Sequence, residues 1–273
     1  MLKNMTLFVI LLWGIIYAAS VIEVNGNKTE FDINQATPSV MHVNITTGDI
    51  VTFTEMTDDG EYTRLSLPGF HLSRDVGEPE LPEIHSLIEI PQEALPRIEI
   101  IESTYRDYSL ADLGIENPIY PAQPSLSKSQ NPGDIPFTIN TDVYLKNTLL
   151  EKELVSVNIE GQLRAIRIAN LNIRPVDYNP VKGILRVYTN LTINIHMDGA
   201  DLAKTEEIKN IYYSPYFEAI YNQIPNYDSS TRSDDLISDP VTYVIVANSS
   251  FEGDLDEFIE WKTQKGYHVI VGY

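Results

Sequence analysis

The feature that most constrains the fold is the strict alternation of apolar and polar residues between Ile184 and Met197. One side of this segment carries apolar side chains, namely Leu185, Val187, Leu191, Ile193, Ile195 and Met197. The opposite side carries Arg186, Tyr188, Asn190, Asn194 and His196. Successive side chains of a β-strand point to opposite faces of the sheet. The segment is therefore predicted to be a long strand with one face in a core and the other facing solvent.

Several other segments have strand character, so we expect a mainly β fold. Residues 49–54 and 62–67 flank Asp58-Asp59-Gly60, which indicates a hairpin because Gly accepts the positive φ of a tight turn. Within residues 163–174 the apolar residues change face after Ile168, which predicts a bulge, and residues 163–197 are expected to form a two-stranded unit. Further elements are predicted as strands at 84–90, 97–105 and 137–140, and as a short helix from Ser214 to about residue 223.

The last residues of the chain have a different pattern. Residues 242–247 form a short apolar run typical of a buried strand, and residues 267–271 form a second one. Between them, residues 251–265 show helical periodicity, with Ser249 and Glu252 in a capping-box pattern. This order predicts the first β-α-β of a parallel α/β domain.

The N-terminus has the layout of a secretory signal peptide. Lys3 precedes an apolar run from Met5 to Ala19, and small residues follow at 18–20. We expect residues 1–20 to be a signal peptide that is cleaved near Ala19 or Ser20. A membrane anchor is the alternative, because the run is nearly long enough to span a bilayer.

Charge and motif content exclude several classes of function. The formal net charge of −20 argues against nucleic acid or an anionic membrane surface as a partner, since both require basic patches. The chain has no Cys, and no complete catalytic or cofactor-binding motif is present, so we name no catalytic residue and expect no cofactor. His85 and Glu89 share a strand face, but a polar surface explains them better than a metal site does.

Two basic residues lie in segments that are predicted to be irregular. Lys128 lies within residues 117–136, which contain five prolines and should form an extended loop. It is either a substrate-like residue that enters a peptidase specificity pocket or an ordinary exposed lysine. Arg232 lies in a polar linker, residues 226–240, and is either a proteolytic processing site or a solubilising side chain.

Several segments together resemble the gingipain-type cysteine peptidases (peptidase family C25) and their N-terminal propeptides. Each segment is a weak signal alone, but their order and spacing are specific. The segments are Gly77-Glu-Pro-Glu-Leu-Pro82, Tyr120-Pro-Ala-Gln-Pro-Ser-Leu-Ser-Lys-Ser-Gln130, Arg174-Pro-Val-Asp-Tyr-Asn-Pro180, Leu185-Arg-Val-Tyr-Thr-Asn190, Tyr243-Val-Ile-Val246 and Phe258-Ile-Glu-Trp-Lys-Thr-Gln-Lys-Gly-Tyr267.

This resemblance implies a fold and a function for each part of the chain. Residues 21–225 would be a mainly β, sandwich-like propeptide that keeps a peptidase latent and assists its folding. Residues 241–273 would be the start of a caspase-like α/β peptidase domain, which is the partner in cis, and its catalytic Cys and His would lie beyond Tyr273. Lys128 would then lie in the inhibitory loop and Arg232 at the propeptide cleavage site, if the peptidase prefers basic residues.

We therefore expect the N-terminal part of a secreted or cell-surface endopeptidase zymogen. After signal cleavage it would have no stable membrane association. The alternative is a secreted β-sandwich module for binding or adhesion.

Overall fold

A computed structural model describes residues 20–26, 28–131, 135–228 and 241–273. These residues belong to two compact units, residues 1–227 and residues 228–273. Each unit is described by itself. None of the helices in the described ranges is both long and apolar enough to cross a membrane.

The first unit is mostly β. Its strands are β1 (Ser20–Ile22), β2 (Glu30–Thr37), β3 (Val40–Thr46), β4 (Ile50–Thr57), β5 (Gly60–Ser66), β6 (His71–Leu72), β7 (Pro82–Ile90), β8 (Leu95–Ser109), β9 (Val155–Leu163), β10 (Ile166–Ile173), β11 (Val176–Asn179) and β12 (Ile184–Asp198). Its α-helices are α1 (Thr141–Tyr144), α2 (Leu202–Tyr212) and α3 (Glu218–Tyr221).

Strand β12 is the centre of the largest sheet and confirms the alternation seen in the sequence. Every second residue is buried, beginning with Leu185 and ending with Met197. One edge of β12 pairs with β8 along its whole length, and the other pairs with β11 and β3. The opposite face was predicted to be in solvent but is mainly half-buried. On this face, for example, the guanidinium of Arg186 lies 3.9 Å from the centre of the Tyr105 ring.

A second sheet has the order β6-β7-β10-β9 and corrects one prediction. Residues 163–197 do not form a two-stranded unit, because β10 pairs with β7 and β9 whereas β12 lies in the larger sheet. The intervening β11 takes the place beside β12 that β10 was expected to fill. The predicted bulge is confirmed, since the β10–β9 register shifts between Ile168 and Ala169.

The predicted hairpin is confirmed in the third sheet, which has the order β1-β4-β5. Strands β4 and β5 pair from Val51–Ser66 to Thr57–Gly60. Gly60 has a φ of 130°, a conformation that glycine adopts without the clash that a Cβ would produce.

Beside a small cluster around Tyr221 and Ile224, two larger apolar clusters stabilise the described residues of the first unit. The larger joins side chains of the largest sheet, such as Met41 and Ile193, to side chains of the β7–β10 sheet, such as Ile88 and Leu171. The smaller joins the hairpin sheet to the end of β12 that contains Leu185. Burial of apolar surface stabilises such layers by about 25 cal/mol per Å², and it is the main force that holds them together.

Two local predictions were wrong or incomplete. Residues 137–140 are not a strand, since they form an irregular segment that ends at the N-cap of α1. The segment after Ser214 is a 3-10 helix, Pro215–Phe217, followed by the single turn of α3, and the Ser214 side chain makes no capping hydrogen bond.

The second unit confirms the predicted β-α-β order. Strands β13 (Thr242–Val246) and β14 (His268–Gly272) pair in parallel, and α4 (Asp256–Gln264) lies between them in the chain. The helix begins later than predicted, because residues 249–251 form a 3-10 turn that is capped by Asn248 instead of a capping box at Ser249. Phe251 remains 53% exposed.

Candidate functional site

The proline-rich segment is irregular, as predicted, but its first residues are bound firmly to the sheets. Isolated bridges join Ile119 to Thr63 and Pro121 to Pro79. Tyr120 N donates to Thr63 O at 2.8 Å, and Ala122 N donates to Glu78 O at 2.9 Å. The loop that carries Lys128 therefore begins from a fixed backbone.

Gly77 lies where the two ends of this loop come together. Its N–H donates to Ala122 O at 2.7 Å, and its carbonyl accepts from Asn140 N at 2.8 Å. Its φ is +81°, and a Cβ placed there would lie 2.9 Å from Asn140 N. Only glycine fits this position, because both the conformation and the close backbone approach exclude a side chain.

The side chain of Gln123 closes the base of the loop. Its Nε2 donates to Thr138 O and to Pro121 O, each at 2.9 Å. Its Oε1 accepts from Thr138 N, also at 2.9 Å. We call this arrangement of Gln123, Thr138 and Pro121 the amide clasp. It joins two chain segments that are 15 residues apart in sequence.

An aromatic cluster lies beside the amide clasp. The ring of Phe137 is 5.2 Å from that of Tyr62 and 5.8 Å from that of Tyr120. The guanidinium of Arg64 lies 4.0 Å from the centre of the Tyr120 ring, a favourable cation–π distance. Tyr144 supports the same segment, since its hydroxyl donates to Ile119 O at 2.6 Å, and burial raises the pKa of Tyr144.

Lys128 is exposed at the far end of the loop, within a tight turn. Gln130 N donates to Ser127 O at 3.1 Å. The side-chain Oε1 of Gln130 in turn accepts from Ser127 N at 2.9 Å. The structure thus presents the lysine side chain to solvent on a turn that has its own hydrogen bonds.

A cleft of about 820 Å³ separates this loop from the β4–β5 hairpin. The hairpin contributes Met56 and the carboxylates of Asp58 and Asp59, and the loop contributes Leu126 and Phe137.

An ion-pair cluster fixes the segment that contains Gly77. Lys152 Nζ contacts Glu78 Oε2 at 2.6 Å and also pairs with Asp75. Burial lowers the pKa of Lys152, but its hydrogen bonds to Asp75 and Glu78 raise that pKa overall. The lysine therefore stays charged and ties the chain just before β9 to the base of the loop.

The other residues named from sequence are placed as follows. Residues 1–19 and Arg232 lie outside the described residues. His85 contacts Glu83 at 3.1 Å, and the described ranges hold no group of three or more His, Cys, Asp or Glu that could bind a metal ion. Sequence reasoning missed Gln123 and Thr138, because nothing in their spacing indicates that they are in contact. The sequence signal that was available for the base of the loop is Gly77, in the segment Gly77-Glu-Pro79.

Comparisons with known proteins agree with this architecture. Residues 33–224 match the family model Propeptide_C25. Lys-gingipain of Porphyromonas gingivalis is 37% identical over 217 residues, which cover 80% of this chain and 12% of that protein. Gingipain R2 of the same organism is 24% identical over 200 residues, 71% of this chain and 26% of that protein. The chain thus spans only a small part of these relatives.

Two solved structures share the fold. One concerns the zymogenic latency of gingipain K from Porphyromonas gingivalis, with a TM-score of 0.62 and 29% identity over 67% of this chain and 100% of that chain. The other is a complex of the pro- and mature domains of RgpB from the same organism, with a TM-score of 0.59 and 20% identity over 72% of this chain and 98% of that chain.

The mainly β fold of this unit and these matches together indicate a peptidase propeptide. The chain belongs to the C25 propeptide family, which confirms the resemblance drawn from the sequence.

Proposed function

We propose that the first unit is the propeptide of a gingipain-type cysteine endopeptidase and keeps that peptidase latent until it is cleaved off. The observation that carries the proposal is the exposed Lys128, held on a loop whose base is closed by Gln123 and Gly77. The match of residues 33–224 to the C25 propeptide model supports it, and favours it over an adhesion module.

In this proposal Lys128 is the residue that enters the specificity pocket of the peptidase. The exposed side chain of Lys128, at the end of an anchored loop, can enter a pocket that accepts the lysine side chain of a substrate. Because the loop is already ordered at its base, little further entropy is lost when it binds.

The remaining parts of the chain are assigned by the same proposal. Residues 1–20 are a signal peptide, so that the protein is secreted or at the cell surface. Residues 21–225 form the sandwich-like propeptide, residues 226–240 the linker with Arg232 as its cleavage site, and residues 241–273 the start of a caspase-like domain. The cluster between two sheets that contains Met41 and Leu171 supports the assignment of residues 21–225 as a sandwich-like domain. The parallel pair β13–β14 supports the assignment of residues 241–273 as the start of an α/β domain.

The test is inhibition of the cognate peptidase by the chain added in trans. Truncation of a central anchor residue typically raises the dissociation constant about 30-fold or more, so Lys128→Ala should raise the inhibition constant by that factor. Lys182→Ala is the matched control, because Lys182 is also exposed in a turn. Peptidase activity that is undiminished by the unsubstituted chain would refute the proposal.

A further inference from the structure

A basic loop that inhibits a peptidase by occupying its specificity pocket must also resist cleavage there. Hydrolysis of the Lys128–Ser129 bond would consume one water and leave a carboxylate on Lys128 and an ammonium group on Ser129. Peptidases and other peptide-binding proteins commonly bind extended segments, which pair through their backbone groups. A loop that cannot easily become extended is therefore a poor substrate.

Two sets of hydrogen bonds oppose that extension in this chain. At the tip, the bonds between Ser127 and Gln130 hold Lys128 in a turn. At the base, the amide clasp joins the two stems through two hydrogen bonds of 2.9 Å between Gln123 and Thr138. A third bond, from Gln123 Nε2 to Pro121 O, lies within the first stem and orients the side-chain amide.

The backbone of Gly77 joins the stems at Ala122 and Asn140, and the amide clasp lies on the loop side of these bonds. Residues 123–127 and 135–140 form no strand, so the stems lack a ladder of their own on the loop side of Gln123. The side-chain amide offers a donor and an acceptor to Thr138, as a backbone residue in an antiparallel pair does. Loss of this one side chain would therefore remove the hydrogen bonds that join the stems on the loop side of Gly77.

We propose that Gln123 is a positioning residue that keeps the Lys128 loop resistant to cleavage, so that a peptidase meets an inhibitor rather than a substrate. This inference rests on the proposed function for the role of Lys128. The rigidity itself is a property of this chain alone. It can be measured without the cognate peptidase.

The experiment is limited digestion of the folded chain with a lysine-specific endopeptidase, with each cleavage followed by mass spectrometry. When opening is fast relative to cleavage, the rate follows the open fraction of the site. Removal of the clasp hydrogen bonds should increase that fraction about tenfold. We expect Gln123→Ala to accelerate cleavage after Lys128 about tenfold and to change cleavage after Lys182 by less than twofold.

Two further variants separate a local effect from general destabilisation. Gln123→Glu keeps an acceptor for Thr138 N but places a carboxylate oxygen against Pro121 O and Thr138 O in place of the donors, so cleavage after Lys128 should be accelerated at least as much as in Gln123→Ala. Gln223→Ala is the matched control, because Gln223 is exposed in the turn after α3 and donates to Ala219 O, and it should leave both rates unchanged.

Two results would overturn the inference. One is cleavage after Lys128 in Gln123→Ala within twofold of the unsubstituted chain. The other is an equal acceleration after Lys128 and Lys182, which would indicate a loss of global stability. Failure of the proposed function is distinguishable from both, because it appears as an absence of inhibition by the unsubstituted chain and leaves the digestion rates as they are.

Discussion

Gly77→Ala is the substitution that tests most directly how the loop base is held. The new methyl group would lie 2.9 Å from Asn140 N and 3.3 Å from Ile139 C, and the residue would keep a φ of +81°. Both neighbouring atoms belong to the backbone, so no side-chain rotation relieves the contact. The segment after the loop must move away, and the hydrogen bonds from Gly77 N to Ala122 O and from Asn140 N to Gly77 O are then lost or lengthened.

The expected loss of stability has two physical causes, backbone strain and broken hydrogen bonds. A left-handed conformation costs an alanine roughly 1 kcal/mol relative to glycine. Each lost backbone hydrogen bond contributes about 1 kcal/mol, and two are affected, so the free energy of unfolding of the first unit should fall by about 3 kcal/mol. Gly114→Ala is the matched control, since Gly114 has a φ of +74° and open space around its Cβ position, and it should cost only about 1 kcal/mol.

The assay is urea unfolding followed by the near-ultraviolet circular dichroism of tyrosine. Tryptophan fluorescence is unsuitable for this unit, because Trp13 lies in the proposed signal peptide and Trp261 lies in α4. The two variants should shift the midpoint without changing the slope. Equal losses in Gly77→Ala and Gly114→Ala would show that the approach of Asn140 contributes nothing, and would refute the reasoning.

Two further predictions concern pH and maturation. Burial raises the pKa of Glu80 above its ordinary value of 4.5, although Arg64 lowers it, and a raised carboxyl pKa adds stability at low pH that is lost as pH rises through the folded value. The midpoint of urea unfolding of the unsubstituted chain should therefore fall relative to that of Glu80→Gln as pH rises from about 4 toward neutrality. A carboxyl group with a raised pKa titrates in this range. A difference between the two midpoints that does not depend on pH would contradict this prediction. Arg232→Ala should slow conversion of the full-length precursor, as followed by immunoblotting with Lys209→Ala as the control, and unchanged processing would exclude Arg232 as the cleavage site.

The sequence predicts those parts of the fold whose information is local. The alternation along β12, the turn at Asp58-Asp59-Gly60 and the apolar runs of β13 and β14 all depend on neighbouring residues. Helix α2 was missed because only Thr205 of its residues is buried, so no apolar periodicity indicates it. Its N-cap, Asp201, is the one local signal.

The arrangement of the sheets and the loop base depends on contacts between distant residues. Nothing in residues 163–197 indicates that β10 pairs with β7 while β12 pairs with β8. The same holds for the candidate site, because Lys128 is recognisable from its proline-rich surroundings but the contact between Gln123 and Thr138 is not. A glutamine side chain that replaces a backbone pair leaves no periodic pattern.

The pairing of β3 with β12 has a consequence for the order in which the protein is made. Met41 lies beside Ile195, so the largest sheet cannot close until the residues of β12 have been synthesised. Sheets with such distant partners form slowly, and domains fold as units during synthesis from the N-terminus. Because β12 ends at Asp198 and β13 begins at Thr242, all strands of the first unit are synthesised before β13, and its largest sheet can begin to form first.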